Sequence, residues 1–195
     1  MFRLVVIRAP AAGDRKSEAT TVGDLDTIID KLSTPARRCR RPAYDEVFPN
    51  IYVGNESSAM NVKKLVEIGV THVLNCAYSE EYDSSWYCVT SERTYDGTDI
   101  KFKGIHAMDI MTYYITSHFA QCCDFISDAL ENDGKVLIHC REGISRSATI
   151  AAAYLMIKEG MTAAQAITVI AQARAICPNS GFRKQLVELE QELTK

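Results

Sequence analysis

The sequence predicts a single α/β domain: a central mixed, mostly parallel sheet with helices on both faces. Three observations carry this. From Ile51 onward short apolar runs alternate with amphipathic stretches, the last third is a run of helical segments, and 195 residues, 47% hydrophobic and 24% charged, hold one such core rather than two.

Residues 9–22 are small and polar without periodicity, so residues 1–22 read as a flexible tail and residues 23–195 as the domain. "GDLDTIIDKL" spaces Leu25, Ile28, Ile29 and Leu32 as one face of a short helix, about residues 23–33, that docks on the domain. "STPARRCRRPAYDEVFP", with Pro35, Pro42 and Pro49, reads as a surface connection. "NIYVG" is a strand; "SSAMNVKKLVEIG" puts Met60, Leu65, Val66 and Ile68 on one helical face and stops at Gly69; "VTHVLNC" is a second strand. The polar stretch after it is a long loop or hairpin, and "IKFKGIHAMD" is a strand ending just before Asp109. "YYITSHFAQCCDFISDALEND" is helical with Asp133-Gly134 as its exit, and "KVLIHC" is a buried strand. Helices follow over Arg146–Lys158, Thr162–Ala173 and Gly181–Leu193.

A net charge of -3 gives no global case for nucleic acid or an anionic membrane. Seven cysteines, an odd number without a CxxC pair, argue against a disulfide framework or zinc cluster and for a reducing compartment. The apolar run Leu4–Ile7 is too short for a secretory signal, and no stretch approaches the ~20 apolar residues of a membrane span. A soluble chain, cytoplasmic, nuclear or both, is expected. His72, His106 and His118 lack metal spacing, and Cys122-Cys123 read as core. Arg37, Arg38, Arg40 and Arg41 read as a solvated charge run, with a docking patch for an acidic groove as the alternative.

The chemistry concentrates in "KVLIHCREGISRS". A strand that stops at Cys140, a turn at Gly143 and a helix opening near Arg146 aim backbone amides into one concavity at a helix N-terminus, where orphan donors and the dipole favour an anion. The same field, with Arg146 and with His139 behind, favours a thiolate at Cys140. Arg146 has the planar fork that holds two phosphoryl oxygens at once, Ser147 can hydrogen-bond the sulfur when it leaves, and Glu142 is placed to hold the guanidinium from behind. A buried strand-end thiol is the plain alternative for Cys140 alone, but not for HCxxGxxRS as a whole. The chemistry implied is in-line attack of sulfur on phosphorus, with no metal or other cofactor. A leaving oxygen then needs an acid. Asp109, Asp96 and Asp99 are candidates, Asp109 being favoured because a strand end beside that of Cys140 opens on the same rim; a helix N-cap is the alternative for Asp109. Arg174 reads by itself as a cation at a helix C-terminus.

HCREGISRS, His139 to Ser147, resembles the signature of the cysteine-dependent protein phosphatases, and within them the small, atypical dual-specificity branch. "IYVGN", "THVLN", "AAYLM" and "PNSGFRKQL" resemble that branch as well, nearest to its vaccinia-H1-related group. The resemblance implies a cysteine phosphatase fold and hydrolysis of phosphotyrosine and phosphothreonine or phosphoserine on proteins, mitogen-activated protein kinases among them. It implies Cys140 as nucleophile, Arg146 for phosphate, Asp109 as general acid and base, Ser147 in breakdown of the intermediate and His139 behind the cysteine. Arg141, Glu142, Gly143, Ile144 and Ser145 would line the substrate, and Arg174 would meet a second substrate phosphate. Ile144 departs from the aromatic residue found there in the nearest relatives and offers a phosphotyrosine ring less stacking surface. Phosphoinositides or RNA 5′ phosphates remain the alternative substrates and a phosphosite-binding module the alternative class. The N-terminal helix can gate the site or mediate a homodimer.

Overall fold

The computed structural model describes residues 19–79 and 87–195, so most of the expected tail lies outside the described residues. Five strands of the described residues form one sheet: β1 (Tyr44–Phe48), β2 (Ile51–Gly54), β3 (His72–Asn75), β4 (Lys101–Gly104) and β5 (Val136–His139), in the order β1-β2-β5-β3-β4. Only β1 runs antiparallel, against β2; the other pairings are parallel. β5 is central and buried on both faces, which is why it reads as a continuous apolar run.

Among the described residues, eight α-helices surround the sheet: α1 (Val22–Leu32), α2 (Pro35–Cys39), α3 (Glu56–Met60), α4 (Val62–Glu67), α5 (Phe119–Glu131), α6 (Arg146–Glu159), α7 (Ala163–Ala173) and α8 (Ser180–Leu193). Alternate residues of β5 feed two cores. Val136 and Ile138 join the larger one under α5, α6, α7 and α8, while Leu137 joins a smaller one with Leu65 of α4 and Tyr95. α6 carries small side chains, Ala148 and Ala151 to Ala153, and is buried on nearly all sides as the axis of the helical layer. α1 starts at a capping box formed by Thr21 and Asp24 and buries Leu25 and Ile29 against the larger core, packing on α7 and α8. No helix among the described residues is long and apolar enough to cross a membrane.

Four local expectations are corrected. The surface connection before Ile51 contains α2 and the edge strand β1, in which only Val47 is buried. The single helix expected over residues 57–69 is two, because the Asn61 side chain caps a fresh start, accepting from the Lys64 amide at 3.2 Å; Met60 and Val66 are half exposed instead of facing the core. β4 stops at Gly104, and residues 105–114 run irregularly over the rim. α5 begins only at Phe119, after a 3₁₀ turn over Ile115–His118.

Candidate active site

Cys140 follows the last residue of β5, and Arg146 is the first residue of α6. The loop between them is stitched to the domain by its carbonyls. Arg141 O accepts from the Glu56 amide (3.1 Å), Glu142 O from Arg41 Nε (3.2 Å) and Arg174 Nη2 (3.4 Å), Gly143 O from Arg174 Nε (2.8 Å), Ile144 O from the Cys177 amide (2.9 Å), and Ser145 O from the Thr149 amide (2.9 Å). In a trans peptide the N–H points opposite to the C=O, so five carbonyls turned outward turn the amides of residues 142–146 inward. The Gly143 amide donates to Cys140 Sγ at 3.3 Å. Gly143 adopts φ 66° and lies against Gly54, where a Cβ would come 2.5 Å from Gly54 O. Only glycine fits there.

Cys140 is 1% exposed, and its sulfur also meets Ser147 Oγ at 3.3 Å. Arg146 Nη1 donates to Ala107 O at 3.1 Å, and its Nε lies 3.6 Å from Asp109 Oδ2. Asp109 is therefore brought to the loop and is not a helix cap. Its Oδ1 accepts from Ser145 Oγ (2.7 Å) and Asn179 Nδ2 (2.9 Å), which fixes the carboxylate on the rim. The turn that carries it is seated on α8: Gln185 Nε2 donates to Tyr113 O at 2.8 Å, and a Cβ on Gly181 would lie 1.8 Å from Met111 O. Asp96 and Asp99 are exposed near the N-terminal end of β4, at the opposite end of the parallel strands from Cys140.

His139 faces the smaller core, with Nε2 3.0 Å from Thr90 Oγ1; Thr90 also holds Asn75 Nδ2 at 2.9 Å. Burial, with the Arg146 charge adding to it, pushes the His139 pKa from its ordinary 6.5 down to about 3. His139 is neutral at pH 7, so any support it gives the sulfur is dipolar rather than charged. An unfolded chain takes up this proton near pH 6.5 and the folded one does not until near 3. Stability carried by the neutral ring is thus full above pH 6.5 and lost as pH falls through that window, at up to about 1.4 kcal/mol per pH unit. Urea unfolding at pH 7, 6 and 5 should show this slope, and His139→Asn should remove that part of it; an equal slope in both would show that His139 protonates freely in the fold.

Two expected roles are corrected. Glu142 does not back Arg146: it points outward and pairs with Arg41 at 2.9 Å. Arg174 is not a surface cation at a helix end: it is 1% exposed, and its guanidinium meets Gly143 O, Glu142 O, Pro42 O (3.0 Å) and Asp45 Oδ2 (2.7 Å). Burial pulls its pKa down, and the Asp45 carboxylate counters that. The arginine cluster is only in part a solvated run: Arg37 and Arg40 are exposed, but Arg37 also binds the last carbonyls of α7, Ala171 O at 2.9 Å and Gln172 O at 3.1 Å, and Arg41, partly buried, binds the loop. Arg141 and Ile144 are both partly buried. Burial raises the thiol pKa of Cys76, Cys88, Cys122 (to about 12) and Cys123 (to about 11), leaving them neutral core side chains.

Asn179, Thr90 and Arg41 are the functional neighbours that sequence reasoning missed. Asn179 carried one signal, its place before a helical run, and it does cap α8 by accepting from the Phe182 amide at 3.0 Å.

A strand, a loop of inward amides, a cysteine at its focus and an arginine opening the next helix define a phosphatase of the cysteine-dependent kind, and comparison with known proteins agrees. Residues 51–192 match the dual specificity phosphatase catalytic domain, and the chain belongs to that family. It is 39% identical over 150 residues to human dual specificity protein phosphatase 26, covering 76% of this chain and 68% of that one. Its fold is similar to the crystal structure of human DUSP28 (TM-score 0.68, 25% identity, 80% of this chain and 97% of that one). It is also similar to that of the human tyrosine phosphatase-like serine/threonine/tyrosine-interacting protein (TM-score 0.69, 29% identity, 80% of this chain and 100% of that one). The protein is a dual-specificity protein phosphatase.

Proposed function

We propose that this site hydrolyses phosphotyrosine and phosphothreonine on proteins, mitogen-activated protein kinases among them, through a cysteinyl-phosphate intermediate. The observation that carries it is the convergence on Cys140 Sγ of the Gly143 amide and Ser147 Oγ, with Arg146 and Asp109 across the opening. The thiolate attacks phosphorus in line; the inward amides and the Arg146 fork hold the three equatorial oxygens. Asp109 protonates the departing oxygen. Because Oδ1 is held by Ser145 and Asn179, Oδ2 is the atom that carries the proton. In the second step the same carboxylate takes a proton from water as water attacks phosphorus, and Ser147 donates to the departing sulfur.

Two features favour a protein over a lipid or RNA substrate. Met108, Ile110, Met111 and Tyr114 are 40%, 40%, 67% and 76% exposed around Asp109, an apolar rim suited to side chains flanking a phosphorylated residue. Between Cys140 and Arg146 only Arg141 is cationic, with Glu142 beside it, so the loop offers little to additional phosphates.

The test is release of phosphate from a doubly phosphorylated kinase activation-loop peptide, with phosphothreonine and phosphotyrosine followed separately and chelator present. Loss from both residues, with a phosphoenzyme trapped by acid quench, is expected, and the aliphatic Ile144 should narrow the advantage of phosphotyrosine. Release from neither residue by folded, reduced protein would overturn the assignment and direct the assay to phosphoinositides and phosphorylated RNA ends.

A further inference from the structure

We propose that Arg174, Asp45 and Arg41 form a brace that sets the orientation of the phosphate-loop amides, so that Arg174 is a positioning residue for phosphoryl binding rather than a surface cation or a substrate ligand. The proposal rests on the loop being the phosphate site. An anion-binding loop needs its amides inward, and this is achieved only if the carbonyls on its outer side find donors. The carbonyls of Arg141, Ile144 and Ser145 find backbone amides. Those of Glu142 and Gly143 do not; their partners are Arg174 Nη2 and Nε, with Arg41 Nε sharing Glu142 O. These two carbonyls belong to the peptides that supply the amides of Gly143 and Ile144, and the Gly143 amide is the one that reaches Cys140 Sγ.

The guanidinium must itself be held. Asp45 Oδ2 accepts from Nη1 at 2.7 Å and Pro42 O at 3.0 Å, fixing the plane of the fork with its Nε edge toward Gly143. A lysine, with its donors on one atom, cannot span Asp45 and both loop carbonyls. Asp45 lies on the edge strand β1, and it and Arg41 precede residues 51–192, the part that matches the family domain. The anion site is therefore completed from outside the matched region.

The measurement is kcat, KM and the KI of inorganic phosphate and orthovanadate, with an aryl phosphate as substrate, for wild type, Asp45→Asn, Arg174→Lys and Arg41→Ala. Assays are run at a temperature where circular dichroism shows each variant folded. Asp45→Asn and Arg174→Lys should raise KM and both KI values by about tenfold or more, the size of one charge-assisted hydrogen bond lost, and should lower kcat. Arg41→Ala should raise them only about two- to threefold, since Glu142 O keeps Arg174. A purely structural role would lower the melting temperature and leave KI unchanged in the folded protein, and that result overturns the brace. If Arg174→Lys does not fold, Asp45→Asn and Arg41→Ala decide the question by the same readout. Wild type that neither turns over the substrate nor binds vanadate would overturn the phosphatase reading itself, which is a separate outcome.

Discussion

Cys140→Ser is expected to abolish phosphate release, lowering kcat by about 10⁴-fold or more, because a serine hydroxyl stays un-ionised at neutral pH and is a far weaker nucleophile than a thiolate. The Gly143 amide and Arg146, proposed to hold the phosphoryl group, remain in place, so binding should survive. Calorimetry with the doubly phosphorylated peptide should give a Kd for the variant close to the KM of wild type. A variant retaining a tenth of the wild-type rate would remove sulfur from the mechanism. The exchange also separates catalysis from recognition: a protein whose task is to bind phosphosites would be unimpaired by it.

Asp109→Asn should lose about 10²- to 10⁴-fold in kcat on phosphothreonine, whose alkoxide is a poor leaving group. Much less should be lost on an aryl phosphate with an acidic phenol, which needs no proton. Asparagine keeps an Oδ1 for Ser145 and Asn179 and changes only the atom facing Arg146, so the position of the turn is preserved while its proton is removed. The diagnostic is the dependence of rate on leaving-group pKa. An equal loss on both substrates would identify Asp109 as a fixture of the rim instead of an acid.

The parts of the site that were legible in the sequence are those whose chemistry is local in the chain. Cys140, Gly143, Arg146 and Ser147 lie within one strand-loop-helix unit, so spacing alone places them together. Asp109 was legible because it follows a strand parallel to β5 and near it in the sheet, and such strands open on the same rim. Asn179, Thr90 and Arg41 reach their partners across 70, 49 and 101 residues of chain, and no local pattern marks such contacts. Arg174 misled for a different reason. Arginine near a helix end is ordinarily a surface residue, and here its partners are mostly carbonyls, which leave no trace in composition. In the fold, β2, β3 and β5 announced themselves as buried apolar runs. β1, an edge strand with one buried residue, offered too little pattern to see, and Asn61 divided a helix whose spacing looked continuous.

The seat of the Asp109 turn on α8 bears on the timing of catalysis. With Met111 O pressed on Gly181 and Tyr113 O held by Gln185, Asp109, the proposed acid, stands at the rim with no substrate present. Enzymes that swing a loop over the substrate gain exclusion of water and accept a closing and reopening step in every turnover. Here the turn that bears Asp109, the proposed acid, is already seated on α8. With Asp109 as the acid, the cycle would be spared that delay, and shelter of the reacting phosphorus would fall to the bulk of the incoming phosphoprotein, which would act as its own lid.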